Sequence, residues 1–449
     1  MQRPLLARAL LVALLCAGCR TAENPQLGMA TLPSASPSTP SSRPGAAPSS
    51  EPPGDAPGVG QNVLVRARHA SGVPLHPEPE SSTVSGRLVD GSSVRIETIA
   101  AGGRWYEVSQ GELRGWLTRR YLAVSAPTPR LRPESVFASR DACLAALQKG
   151  DRAPRQPGQA RIGSWNLHWF PDGKPGKGGG EEPERGSDLP WLACVIRWLD
   201  LDALALQELK SGSAARGALD RLRALLDAQG GSWQADLDGC DKNGQQVGLL
   251  YDRKRLQHLS SFDVAELNPH GAPCKDQLRP GRASYLRFPG GLDLYVVSAH
   301  FKAGGERRSF DLRQRSFAAL SEAYGVVQAQ GKDPDVLVLG DLNTMGCPDC
   351  SPALSHAEEL SSVDRSLGGE GFRRLASDVA CSHYFSGKGT LLDNAVASQG
   401  FGELGQATLR VSGLCAEVGC DPPSQRFAAQ ERLSDHCPIY VDIADQDRD

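Results

Sequence analysis

From about residue 159 to 446 the chain alternates short apolar runs with segments of helical spacing. The runs are A-R-I-G-S-W-N-L (160–167), D-A-L-A-L-Q-E-L (202–209), Q-V-G-L-L-Y-D (246–252), L-D-L-Y-V-V-S-A-H-F (292–301), D-V-L-V-L-G-D-L-N (335–343) and L-L-D-N-A-V-A-S (391–398). Several are apolar at consecutive positions, which suits strands covered on both faces. Between them, Asp188-Leu189-Pro190 supplies a helix start, and Leu192, Val195, Ile196 and Leu199 follow at i, i+3, i+4, i+7. Phe317, Leu320, Tyr324 and Val327 repeat that stripe and predict a second helix. Strands alternating with helices over this length predict one large α/β domain, 159–446, with ample core.

Upstream the pattern changes. Residues 59–123 offer short β-prone runs broken by Gly, Ser and Pro, which predicts a small β-barrel. Within it, G-R-W-Y-E-V-S-Q-G-E-L-R-G-W-L-T-R-R-Y-L resembles the closing strands of a bacterial SH3-like domain, through Trp105, Tyr106, Gly115, Trp116 and Tyr121. That resemblance implies a cell-wall or peptide ligand, while Trp116 itself reads as barrel core. Residues 124–158 are basic and proline-containing, and read as a connector around a short helix, S-R-D-A-C-L-A-A-L-Q.

The first 19 residues place Arg3 and Arg8 ahead of a short apolar run that ends in small residues, the pattern of a secretion signal. The run is too short for an ordinary membrane span. Ala17-Gly18-Cys19 resembles the bacterial lipoprotein processing box, with Cys16 where that box usually has Leu. The expectation is an exported protein anchored to an envelope membrane through lipid on Cys19, with periplasmic or secreted protein as the alternative. Residues 20–58, dense in Pro, Ser and Ala, have almost nothing to build a core and read as a disordered tether. Ten cysteines remain beyond Cys19; for an exported chain disulfides are preferred over a zinc site built on Cys347, Cys350, Cys415 and Cys420. A net charge of -3 gives no strongly basic field of the kind a dedicated DNA binder carries.

Polar residues punctuate the apolar runs of the large domain: Asn166, Glu208, His300, Asp341 with Asn343, Asp393, and Asp435 with His436. In V-L-V-L-G-D-L-N-T a strand would point Asp341 and Asn343 the same way, toward one ligand. One such end is an ordinary solvated turn. Six carrying carboxylate, carboxamide or imidazole groups point to a shared site. Glu208 is a hard oxygen ligand suited to Mg²⁺. An imidazole ordinarily titrates near neutrality, so His436 suits a general base, with Asp393 to orient it.

In order and context the motifs S-W-N-L, L-Q-E-L, S-A-H-F-K-A-G, L-G-D-L-N-T, L-L-D-N and S-D-H-C-P-I resemble the endonuclease/exonuclease/phosphatase family, which includes pancreatic deoxyribonuclease. The resemblance implies a four-layered α/β sandwich, two packed mixed β-sheets flanked by helices, and hydrolysis of a phosphate ester with Mg²⁺ or Mn²⁺. It implies a carbonyl-oxygen ligand at Asn166, Asp435 completing the metal site or binding a second ion, and a phosphate hydrogen bond from His300. Asp341 and Asn343 share the remaining proton and phosphate roles, without a division between them. An Asn at 394 stands where the family often has an aromatic residue.

Lys302 and Arg307 could attract phosphate or be solvated surface charge; Tyr251 reads as structural, and His168 as cleft or structure with equal weight. His258, His270, His356 and His383 show no partner in sequence. The leading function is an exported phosphodiesterase, a nuclease cutting DNA or RNA. Its rivals are a sphingomyelinase-like phospholipid phosphodiesterase, a phosphomonoesterase, and a non-catalytic envelope-binding protein. The glycine-rich segment 171–187 contains no aromatic for base stacking, and no long apolar wedge for lipid is visible.

Overall fold

A computed structural model describes residues 57–65, 72–89, 91–123, 131–174, 186–241, 244–331, 333–385, 388–420 and 427–448. The expected secretion signal, Cys19 as the expected lipidation site, nearly all of the expected tether and most of the glycine-rich segment lie outside these residues.

The first strands are β1 (Asn62–Val65), β2 (Val73–Leu75), β3 (Gly86–Leu88), β4 (Ser93–Ile99), β5 (Trp105–Gln110), β6 (Leu113–Thr118) and β7 (Leu122–Ala123). They form an antiparallel sheet in the order β6-β5-β4-β1-β7 and a separate β2–β3 hairpin. Val63, Val65, Val94, Ile96, Tyr106, Val108 and Leu117 fill the core between them. Trp116 is not part of it, contrary to expectation. Its neighbours Gly115 and Leu117 face inward, so strand alternation turns Trp116 outward to half-burial, beside Trp105, whose ring meets His76 edge-on at 5.4 Å.

In the large domain the first sheet runs β10 (Trp233–Leu237), β11 (Gln245–Asp252), β9 (Ala203–Lys210), β8 (Gln159–Phe170), β21 (Ile439–Ala444) and β20 (Arg410–Val411). The second runs β12 (Gln257–Val264), β13 (Gly281–Arg287), β14 (Asp293–His300), β15 (Val336–Asp341), β19 (Asp393–Ser398) and β16 (Phe372–Arg374). A short β17 (His383–Phe385) and β18 (Lys388–Thr390) pair as a hairpin. Each sheet is antiparallel except for one central parallel pair, β8 with β9 and β14 with β15. That pattern decides where chemistry collects. The carboxyl ends of four parallel strands point to one end of the sandwich, and the antiparallel neighbours β19 and β21 begin there.

β15 shows why its four apolar residues are needed. Leu337 and Leu339 enter the core between the sheets, while Val336 and Val338 enter the core beneath the helices. Gly340 allows the strand to approach its partner, since a Cβ there would overlap the carbonyl oxygen of Ala299. Buried hydroxyls link the two sheets: Ser298 Oγ donates to Leu206 O at 3.1 Å and accepts from Gln207 Nε2 at 3.2 Å.

The outer layers are helical, giving the four-layered sandwich. α1 (Arg140–Gln148), α2 (Leu189–Leu199) and α3 (Ser213–Ala228) belong with the first sheet. The Asp188 carboxylate caps α2 by accepting from Trp191 N–H at 3.1 Å, and the predicted stripe Leu192, Val195, Ile196 and Leu199 is fully buried. α4 (Arg307–Ala318), α5 (Leu320–Gln330) and α6 (His356–Gly369) cover the second sheet. The stripe from Phe317 to Val327 is divided between α4 and α5, because the first helix ends at Ala319, which also starts the second. Residues 131–153 are more than a connector: Val136, Phe137 and Cys143 join the large core.

All ten of the later cysteines pair: 143–194, 240–274, 347–350, 381–420 and 415–437. This removes the four-cysteine zinc alternative. Cys415 lies within the short helix α7 (Leu414–Val418) and Cys420 just after it, and α8 (Ala428–Arg432) follows.

Candidate active site

At that shared end of the two sheets the predicted polar residues surround one cleft of roughly 540 Å³. Glu208, His300, Asp341, Asn343, Asp435 and His436 line it, with Asn166 and Asp393 enclosed behind them. The register is direct: His300 pairs with Asp341 across β14 and β15, and Asp341 with Asp393 across β15 and β19.

The backbone departs from regularity here. The pairing of β8 with β9 slips between Asn166 and Phe170, and four non-glycine residues at the site, His168, Trp169, Glu208 and Asn343, have φ between 46° and 58°. Left-handed conformations cost energy for such residues, so their concentration at one place marks a constrained site. It also corrects the expectation for Asp341 and Asn343. The strand ends at Asp341, and Asn343 reaches the cleft through a turn in which its N–H donates to Asp341 Oδ1 at 3.1 Å, not through strand alternation.

Two carboxylates converge on one point. Asn166 Nδ2 donates to Glu208 Oε1 at 3.2 Å and to Asp341 Oδ2 at 3.0 Å. Asn166 Oδ1 instead accepts from His168 N–H at 2.9 Å, so it is the amide nitrogen, not the oxygen, that faces these carboxylates. His300 Nε2 lies 3.4 Å from Asp341 Oδ2 and 3.9 Å from Glu208 Oε1, and the three side chains form a group able to hold a cation. Burial, joined by the positive charges of Arg279, His436 and Lys302, holds the His300 imidazole well below its ordinary range and keeps it neutral.

His436 faces the same point from the other side. Its Nδ1 is 2.8 Å from Asp393 Oδ2, an oxygen that also accepts from Ser382 Oγ at 2.7 Å, and its Nε2 is 3.7 Å from Asp341 Oδ2. Burial alone would lower this imidazole. The carboxylates of Asp393 and Asp341 outweigh it and raise the ring to about 10. Asp341 is pushed up to about 7, first by burial and then by the charges of Asp393 and Glu208, against the pull of His436. Crowded, mutually repelling carboxylates of this kind are what a divalent cation relieves, and an oxygen-rich set suits a hard ion.

Asp435 stands apart from the Glu208 group. His168 Nδ1 lies 2.9 Å from its Oδ1 and His383 Nε2 3.4 Å from its Oδ2. Burial opposes ionisation of Asp435, but these two hydrogen bonds win and hold it well below the carboxylate range. His168 therefore belongs to the cleft. So does His383, which sequence reasoning passed over; its ring centre is 4.3 Å from that of His436.

Arg279 was also missed. It lines the cleft and makes no ion pair among the described residues; Nη1 donates to Gln277 O at 3.2 Å, while Nε is enclosed without a partner. Burial lowers the guanidinium against the attraction of Glu208 and Asp341. Its only sequence signal was a basic residue in a loop. Lys302 lines the cleft too, whereas Arg307 pairs with Asp311 on the exposed face of α4. Tyr251 stacks on His258 with ring centres 4.8 Å apart and is structural.

Two packed mixed sheets with carboxylates, a carboxamide and an aspartate-held histidine at their common end define a phosphoric ester hydrolase. The chain belongs to the Endonuclease/Exonuclease/phosphatase family, whose sequence profile matches residues 163–436. Metal dependence is typical of that family. Among solved structures it is similar to truncated Caenorhabditis elegans TDP2, at 17% identity over 64% of this chain and 98% of that chain, with a TM-score of 0.42. It is similar also to the human Nocturnin catalytic domain, at 16% identity over 65% and 96% with a TM-score of 0.40. A Bacteroides thetaiotaomicron family protein gives the same identity, coverage and score. No curated protein matches the sequence.

Proposed function

We propose that this protein is an exported phosphodiesterase that uses Mg²⁺ or Mn²⁺ to cut nucleic acid. The observation that carries the reading is the facing of two half-sites across one cleft: Glu208 and Asp341 on one side, the His436–Asp393 pair on the other, with the unpaired Arg279 on the wall.

Asp393 fixes the His436 ring and leaves Nε2 toward the cleft, where it exchanges a proton with the attacking water. The adjacent carboxylates, Asp393 foremost and Asp341 after it, raise that ring, so relief of the Asp341 charge favours its use as a base. Glu208 and Asp341 would hold the divalent cation, which would offset the Asp341 charge and supply Lewis-acid polarisation of the phosphate. His300, neutral and in hydrogen-bond range of Asp341, donates to phosphate oxygen as charge develops. Arg279, without an ion-pair partner among the described residues, gives the phosphate a counter-charge. Asp435 holds His168 and His383 in place. Nucleic acid is favoured over lipid because the large exposed apolar side chains among the described residues (Val59, Val84, Val89, Leu113, Leu144 and Leu259) include none that lines the cleft.

The test is hydrolysis by the full chain of DNA, RNA, sphingomyelin and an aryl phosphodiester, with Mg²⁺, Mn²⁺ or chelator. Nucleic acid cleavage that chelator abolishes, and that Glu208→Ala and His436→Ala each reduce by at least about 100-fold, is expected. Cleavage indifferent to chelator or to both substitutions defeats the mechanism, and exclusive cleavage of sphingomyelin defeats the substrate class.

A further inference from the structure

Trp169 is in an unusual place for a tryptophan. It joins neither core of the large domain, although its neighbours Leu167 and Phe170 are completely buried in one of them. It is half-buried on the wall of the catalytic cleft. Its backbone has φ 55° and follows His168 at φ 46°, so two consecutive bulky residues occupy the left-handed region.

Three contacts hold this bulge against its cost: His168 N–H on Asn166 Oδ1 at 2.9 Å, His168 Nδ1 on Asp435 at 2.9 Å, and Trp169 N–H on Glu208 Oε2 at 3.1 Å. The last contact needs only a backbone N–H. Glycine would supply it with no conformational penalty. An indole there, outside the core and on a strained backbone, is explained by what it presents to the cleft.

We infer that Trp169 is a stacking platform for an unpaired nucleobase next to the scissile phosphate, which makes single-stranded nucleic acid the preferred substrate. The inference rests on the phosphodiesterase reading above and narrows it. An aromatic face accepts any base and is sequence-tolerant, but a base inside a duplex has both faces covered by its neighbours and reaches such a ring only after unstacking. The charged groups nearby suit this substrate. Arg279 and Lys302 line the same cleft and take the backbone phosphates, leaving the ring to take the base. An acyl chain would need a continuous apolar wall, whereas Trp169 shares the cleft with Glu208, Gln245, Asp276, Arg279 and Lys302.

The experiment measures kcat/KM of the full chain on three substrates: a single-stranded oligonucleotide, the same sequence as a duplex, and a single-stranded oligomer with abasic sugars on the same backbone. Wild type should prefer the first over both others. Trp169→Ala should reduce cleavage of the base-bearing single strand by about 5- to 100-fold and leave the abasic oligomer unchanged. Trp169→Phe should stay within a few-fold of wild type on all three. An equal loss on base-bearing and abasic strands would mean that Trp169 merely supports Glu208, and no loss on either would mean that it contacts nothing; both overturn the inference. If wild type cleaves none of the three oligonucleotides, the nucleic acid reading itself fails, which is a different result from cleavage without dependence on bases.

Discussion

Replacing Asp393 with Asn keeps the side chain's shape and removes its charge at the group that meets His436 Nδ1. Asp393 Oδ2 is 2.8 Å from His436 Nδ1, and both residues are nearly inaccessible to solvent. The imidazole rises from its ordinary 6.5 to about 10. At about 1.4 kcal/mol per pH unit, that is on the order of 5 kcal/mol of preference for the charged ring. Asp393 and Asp341 share this effect, with Asp393 the larger contributor, so Asp393→Asn should bring the His436 titration down toward its ordinary range. The amide can also stabilise the wrong ring tautomer, and kcat/KM should fall by about 10³- to 10⁴-fold.

The same substitution has a stability signature. Folding raises the pKa of His436, so the ion pair contributes fully below pH 6.5 and its contribution is lost as pH climbs through about 10. Urea midpoints of the wild type should therefore decline across that interval more steeply than those of Asp393→Asn. The assay is NMR titration of the His436 ring in both proteins, beside urea melts and kcat/KM over the same pH range. An unchanged titration, or a variant with wild-type kcat/KM, would refute the coupling of these residues.

Two further outcomes concern the frame around the cleft. Arg313 and Glu359 form an ion pair with both side chains completely buried, and Arg313 also donates to Lys302 O, Gly304 O and Gly346 O behind the cleft wall. Glu359→Ala leaves that charge unpaired and should cost about 3–5 kcal/mol in chemical denaturation; a loss below about 1 kcal/mol would contradict the burial argument. Cys381 and Cys437 immediately precede Ser382 and follow His436, and Cys437 N–H donates to Ser382 O at 2.7 Å. Double Cys→Ser replacement of 381–420 should cost about 2–5 kcal/mol and reduce kcat before the rest of the fold is lost, whereas replacement of 143–194, tied to α2, should leave kcat within a few-fold.

By itself the sequence determined the elements and much of the constellation. The apolar runs marked six strands of the two large sheets, because burial on two faces demands consecutive apolar residues, and polar groups ending such runs are conspicuous. The cap at Asp188 and the stripe on α2 were equally readable, since both depend on spacing within one turn or two. What only tertiary structure decided lies where no period operates. Arg279, His383 and Trp169 sit in loops, a short hairpin and a strand bulge, and their chemistry comes from neighbours distant in sequence: Arg279 near Glu208 and Asp341, His383 against Asp435 and His436, Trp169 beside Glu208. Disulfide pairing among ten cysteines is likewise a matter of spatial distance. Asp341 and Asn343 show the boundary within a single motif. Alternation along a strand suggested that they face one ligand; the fold ends the strand at Asp341, turns Asn343 through φ 53°, and brings both to the cleft by backbone geometry that no local pattern encodes.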